Sequence, residues 1–150
     1  MRKLLFVCWG NICRSPMGER VARRMSEDRG LDVVVASVGI SSEEVGNPID
    51  RRAAKVLTDA GYDASGHRAR RVTVADLEEA DLVVAAETTH LSRLRQIHPE
   101  GTYALLNDFN PGMAPGTDLQ DPWYGPASGF TETLADIEAA MPGILDRLAR

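Results

Sequence analysis

Residues 8–16 read Cys8-Trp9-Gly10-Asn11-Ile12-Cys13-Arg14-Ser15-Pro16. A cysteine, an arginine and a serine thus lie between an apolar run and a proline that suits the first turn of a helix. A tight loop that wraps onto a helix start turns successive backbone N–H groups inward and makes an anion cradle. Gly10 and Asn11 are residue types that accept the left-handed backbone such a loop needs. Arg14 can close the cradle with two parallel N–H bonds to a phosphate. The same positive field favours the thiolate of Cys8, the nucleophilic form of a thiol, and Ser15 can donate its hydroxyl to that sulfur. The pattern predicts attack by sulfur on phosphorus. Cys8 alone would read as a buried strand-end thiol; Arg14 and Ser15 at a strand-to-helix junction change that reading.

The elements that must position this loop follow from periodicity and punctuation. Lys3 to Cys8 is a short apolar run ended by Gly10-Asn11 and reads as a buried strand. A helix is predicted over 16–29, with Met17, Val21 and Met25 on one stripe and Gly30 to close it. Leu31 to Val38 is a second strand. Asp50 to Ala60 is a helix capped by Asp50 and stopped by Gly61. Thr73 and Asp76 form a capping-box pattern for a short helix. Asp81–Ala86 and Thr102–Leu106 read as strands around a helix over 88–97, which ends before Pro99. Residues 107–126 form a long loop rich in Pro and Gly, of a length usually reserved for function or disorder. The last helix carries Phe130, Leu134, Ile137, Met141, Leu145 and Leu148, and Pro142 is expected to kink or restart it. His90 and His98 read as helix-surface residues, and Glu19 as a first-turn carboxylate complementing the helix dipole.

Apolar strands alternating with amphipathic helices predict an α/β fold: a four-stranded parallel sheet with helices on both faces. Ligands of such sheets sit beyond the carboxyl ends of the strands, where the loop at residues 8–16 lies. The length, 150 residues with 43% hydrophobic and 26% charged, suits a single domain over 1–150 and excludes wholesale disorder. The net charge of -5 argues against a general affinity for nucleic acid. The positive charge is almost all arginine, Lys3 and Lys55 being the only lysines, and arginine suits flat bidentate anions. The longest apolar run, residues 4–9, is far below the roughly 18–20 residues of a membrane span. Met1-Arg2-Lys3 before it faintly imitates a signal peptide, but Gly10-Asn11 and Arg14 follow with no cleavage site. Cys8 and Cys13 are the only cysteines. They exclude a disulfide framework and point to a reducing cytoplasm. Zinc binding by the two is a weak reading, because no paired His or Cys motif follows.

Cys8–Pro16 resembles the signature of the low-molecular-weight protein tyrosine phosphatases, in which the motif also sits near the N-terminus. The resemblance covers essentially the whole chain. It includes Asp121-Pro122-Trp123-Tyr124-Gly125, similar to the family's Asp-Pro-aromatic-Tyr-Gly loop. It implies a Rossmann-like, phosphotyrosine phosphatase I-like fold with the phosphate-binding loop after the first strand. It further implies hydrolysis of phosphate monoesters, chiefly phosphotyrosine in proteins, through a phosphocysteine at Cys8. By resemblance, Arg14 holds the equatorial oxygens, and Asp121 is the general acid and then the base for water. A positioned acid typically contributes about 10²–10⁴-fold, and Pro122 biases Asp121 toward the extended backbone of a loop arm. The implied substrate-binding residues are Trp9, Gly10, Asn11, Ile12, Cys13, Ser15, Trp123 and Tyr124, with Trp9, Trp123 and Tyr124 walling a slot for an aromatic ring. Ser37 and His67 match the family's support positions, which with Ser15 hydrogen-bond the side chain of a strained Asn11. No metal or organic cofactor is required. The implied partners are a phosphotyrosine protein, with phosphate and other oxyanions as inhibitors, and neither nucleic acid nor membrane.

Two departures from the family stand out. Ser41-Ser42-Glu43-Glu44 occupies the loop after Ser37, where the family often has a tryptophan, which leaves that wall polar or open. Glu87 replaces the family's aspartate after the third strand. Three rival activities are weaker. Arsenate reduction on this fold needs cysteines beyond Cys13. A protein-arginine phosphatase would carry threonine where this chain has Ile12. A non-catalytic phosphate-binding module would not need Cys8, Arg14 and Asp121 together. Cys13, in the same tight loop as Cys8, is expected to resolve a sulfenic acid formed there, since disulfides need Cα atoms only about 4.4–6.8 Å apart; the alternative is a small packing residue.

Overall fold

A computed structural model describes residues 1–150. Four strands, β1 (Arg2–Cys8), β2 (Val33–Gly39), β3 (Leu82–Ala85) and β4 (Tyr103–Leu105), alternate with five helices. These are α1 (Arg14–Arg29), α2 (Arg51–Asp59), α3 (Val74–Glu79), α4 (Thr88–Ile97) and α5 (Ser128–Leu148). The strands form one parallel sheet in the order β2-β1-β3-β4. β1 is buried from Leu4 to Cys8, as a central strand covered on both faces must be. Its side chains divide by the two-residue period of a strand. Leu4, Phe6 and Cys8 join the core under α1, α2 and α5. Leu5 and Val7 join the smaller core that includes Leu77 of α3 and Leu91 and Leu94 of α4.

This order makes the chain leave β1 toward one edge of the sheet and β3 toward the other. The connections therefore diverge beyond the carboxyl ends of β1 and β3, and a crevice opens between them. Two glycines let the backbone close up there. A Cβ on Gly39 would stand 2.9 Å from the carbonyl oxygen of Trp9, so the end of β2 lies directly against the loop after β1. A Cβ on Gly18 would stand 2.8 Å from the Phe6 ring, so α1 lies flat on β1.

The boundaries differ from expectation where side-chain chemistry lies. α1 begins at Arg14 rather than Pro16, with Cys13 at its N-cap and no side chain capping it. Arg14 and Ser15 are thus first-turn residues whose N–H groups have no intrahelical acceptor. β2 opens at Val33 rather than Leu31. The segment 107–126 is not featureless, since two 3₁₀ turns, Leu106–Phe109 and Pro122–Tyr124, interrupt it. α5 neither stops nor restarts at Pro142. Ile137, Met141, Ile144 and Leu145 are buried on both sides of the proline, and that packing holds the helix through the one lost backbone bond.

Candidate active site

The loop 8–13 connects the end of β1 to the start of α1. Cys8 is buried, and its Sγ lies 3.0 Å from the Ser15 hydroxyl. Asn11 has φ +60°, the only non-glycine residue with positive φ. Gly10, expected to share that conformation, does not adopt it. A left-handed asparagine is sustained only when its surroundings over-determine it, and here they do. Asn11 Nδ2 donates to Ser15 Oγ at 2.8 Å and to Ser37 Oγ at 3.0 Å, and its Oδ1 accepts from the backbone N–H of Arg70 at 3.0 Å. His67 Nε2 lies 2.6 Å from the backbone carbonyl oxygen of Asn11, so the histidine supports the main chain and not the side chain it was expected to hold. Burial lowers the basicity of His67, which favours the neutral ring.

Ser37 passes the network on to Glu19, donating to its Oε1 at 3.2 Å. Glu19 is not the first-turn carboxylate expected, because α1 starts at Arg14 and its first turn holds no acidic residue. It is buried, and Arg20 Nε donates to its Oε2 at 2.9 Å. A buried carboxylate needs such partners, and the pairing makes Glu19 a foundation of the loop.

Arg14 is 3% exposed. Its Nη1 donates to the Leu119 carbonyl at 2.8 Å and pairs with Glu87 Oε2 at 2.6 Å, while Nη2 lies 3.7 Å from Asp121 Oδ2. One guanidinium thus joins the loop after β1, the loop after β3 and the segment carrying Asp121. His90, expected on the surface, is buried behind this group, with Nε2 3.8 Å from Glu87 Oε2. Burial and then the charge of Arg14 hold it below the ordinary histidine range. His98 sits at the C-terminal cap of α4, half-buried.

A pocket of about 270 Å³ opens over the loop, lined by Cys8, Trp9, Gly10, Ile12, Cys13, Arg14, Glu43, Glu44, Asp121, Trp123 and Tyr124. Its mouth carries exposed aromatics, Tyr124 being 88% exposed. Asn11 and Ser15, expected among the substrate contacts, are not in the lining; their side chains are engaged with one another and with Ser37 behind the loop. Asp121 caps the turn that follows it, its Oδ1 accepting from the Trp123 N–H at 3.1 Å. Burial pushes the Cys13 thiol up.

The family described as low molecular weight phosphotyrosine protein phosphatase matches residues 3–150. The chain belongs to this family. Its relatives include low molecular weight protein-tyrosine phosphatase A of Mycobacterium tuberculosis, 43% identical over 97% of this chain and 93% of that one. A low molecular weight protein-tyrosine-phosphatase of Streptomyces coelicolor is 41% identical over 95% and 91%. Among solved structures, a protein tyrosine phosphatase from Entamoeba histolytica superimposes with a TM-score of 0.93 at 29% identity, covering 99% of this chain and 97% of that one. Vibrio vulnificus Wzb in complex with benzylphosphonate superimposes with a TM-score of 0.84 at 31% identity, covering 98% and 99%. The chain is an enzyme of the protein-tyrosine phosphatase class, EC 3.1.3.48.

One wall of this phosphatase's pocket is acidic. Glu43 and Glu44 line it, and Glu43 Oε2 accepts from Trp9 Nε1 at 3.4 Å. Sequence reasoning missed the parts played by the Leu119 carbonyl, the Arg70 N–H and His90. Only Gly39, the last residue of a buried apolar strand, offered a local signal of close approach.

Proposed function

We propose that this phosphatase hydrolyses phosphotyrosine in proteins through a phosphocysteine at Cys8, with residues 1–150 acting as one catalytic domain. The carrying observation is the convergence of the buried Cys8 Sγ, the first turn of α1, Arg14 and Asp121 on one pocket. The phosphate sits in the loop, its equatorial oxygens facing the backbone N–H groups and Arg14. Cys8 Sγ attacks phosphorus, the P–O bond to the tyrosine ring breaks, and Asp121 gives its proton to the leaving phenolate. Water then attacks the phosphocysteine as Asp121 takes its proton, and the S–P bond breaks to release phosphate. Ser15, 3.0 Å from the sulfur, stabilises the departing thiolate. Trp9, Trp123 and Tyr124 receive the ring, and inorganic phosphate and other oxyanions compete for the loop.

No helix is long and apolar enough to cross a membrane, which fits the cytoplasmic setting proposed. There, peroxide oxidises Cys8 to a sulfenic acid, and Cys13 condenses with it to a disulfide, releasing water. Hydrolysis of an aryl phosphate by wild type and Cys8→Ser tests the reading. Loss of turnover in the variant, with retained phosphate binding, is expected; equal rates overturn it.

A further inference from the structure

We infer that Arg52 is a positioning residue that sets the acid loop in register with the phosphate loop. This rests on the assignment of Asp121 as the general acid. Arg52 is the second residue of α2, outside both motifs, and its side chain makes more specific contacts than a half-exposed surface arginine needs. Nε donates to Asp50 Oδ1 at 3.2 Å and Nη2 to Asp50 Oδ2 at 3.1 Å, a two-pronged grip on one carboxylate. Nη1 donates to the backbone carbonyl of Trp123 at 3.3 Å. The guanidinium carbon lies 5.2 Å from the centre of the Trp123 ring and 4.6 Å from that of Phe130, within the range of cation–π attraction.

Both ends of this clamp reach the reacting groups. Asp50 caps α2, and its backbone N–H donates to the Ile12 carbonyl of the phosphate loop at 2.8 Å. On the other side, the Trp123 N–H donates to Asp121 Oδ1 at 3.1 Å, so the peptide that Arg52 grips adjoins the residue that orients the carboxylate. A continuous path therefore runs Ile12, Asp50, Arg52, Trp123, Asp121. Across residues 120–127, between Leu119 and the start of α5, the Arg52–Trp123 bond is the one hydrogen bond arriving from elsewhere in the chain. The stretch is otherwise held by the buried Pro122 beside Gly129 of α5 and by the longer Arg14–Asp121 pair at 3.7 Å. Removing Arg52 leaves the segment around Asp121 with no hydrogen bond from elsewhere in the chain and frees the Trp123 side of the turn. A displacement of about 1 Å costs on the order of 10²-fold where geometry governs proton transfer.

The loss must be selective for leaving group. A phenolate leaving group, whose phenol titrates near 10, needs the proton from Asp121; p-nitrophenolate departs without one. Arg52→Ala is expected to lower kcat/KM, which covers only the steps up to the phosphocysteine, by about 10–100-fold on phenyl phosphate, yet by less than about 3-fold on p-nitrophenyl phosphate. The inhibition constant of inorganic phosphate is expected to stay within about 2-fold, because the phosphate loop is intact. Arg52→Lys is expected to behave like Arg52→Ala, since one ammonium cannot grip both Asp50 oxygens and lie flat against two rings. It carries the test if the alanine variant fails to fold. Asp121→Asn is the reference. If it shows the selectivity and the Arg52 variants lose both activities equally or neither, the role of Arg52 is overturned alone. If Asp121→Asn itself shows no selectivity, the acid assignment falls, and the role of Arg52 with it.

Discussion

Arg14 Nη1 and Glu87 Oε2 meet at 2.6 Å across the crevice between β1 and β3. The carboxylate orients the guanidinium and partly neutralises it, so it acts in opposite directions on geometry and on charge. Glu87→Gln is expected to lower kcat on an aryl phosphate by roughly 10-fold, equivalent to about 1.4 kcal/mol of transition-state stabilisation. The inhibition constant of phosphate should not rise, because a negative charge near the anion has been removed. Steady-state kinetics with phosphate as competitive inhibitor separates the two; weaker phosphate binding with unchanged kcat would reverse the assignment.

Gly39 and Gly18 each exclude a methyl group, but against different neighbours. A Cβ on Gly39 meets the Trp9 carbonyl oxygen at 2.9 Å and the Asn11 backbone nitrogen at 3.2 Å, atoms of the phosphate loop itself. A Cβ on Gly18 meets the Phe6 ring at 2.8 Å in the core. Overpacking of either kind costs about 1–3 kcal/mol. Gly39→Ala is expected to lose activity out of proportion to stability. Gly18→Ala should lose stability, offset by up to about 1 kcal/mol of helix propensity, with kcat little changed in the folded fraction. Urea unfolding and kcat measured on the same samples distinguish the two.

Burial lowers the basicity of both His67 and His90 from the ordinary 6.5. In the native protein both rings resist protons that the unfolded chain accepts. Stability is therefore complete above 6.5 and falls as pH drops from 6.5 toward the native values, by at most about 1.4 kcal/mol per pH unit for each histidine. Asp50 and Asp76 act in a separate window. For both, burial alone would raise the carboxyl, but hydrogen bonds, from Arg52 and from Arg70 and Thr73 respectively, outweigh it and hold the group below 3.8. Their stabilisation is lost only as the solution becomes more acidic than that. Urea unfolding at about pH 7.5 and about pH 5.5 should show the histidine loss in wild type and a flatter response in the double variant His67→Asn/His90→Asn.

Burial pushes the Cys13 thiol up, so condensation with oxidised Cys8 should be slow rather than absent. After peroxide and then a thiol reductant, wild type is expected to regain more activity than Cys13→Ser, and phosphate or vanadate present during oxidation should protect both. Mass spectrometry should find a Cys8–Cys13 crosslinked peptide. Equal recovery without that peptide would make Cys13 a packing residue.

The chemistry was legible wherever it is local. Cys8, Arg14 and Ser15 fall within eight residues, one strand end and one helix turn, so their spacing alone brings them together. The apolar run of β1 and the stripe along α5 are likewise periodic signals carried by neighbours in the chain. What the tertiary structure decided is which distant group completes each local one. Asn11 keeps its left-handed backbone through Ser37, His67 and Arg70. Arg14 is oriented by Glu87 and the Leu119 carbonyl. Helical periodicity places His90 on α4, but it does not say that this side chain faces a buried Arg14–Glu87 pair. Glu19 reads as a carboxylate complementing the helix dipole until Ser37 and Arg20 close over it. The pattern of a sequence records the side-chain period of each element, whereas the burial of a polar group depends on partners supplied by elements tens of residues away.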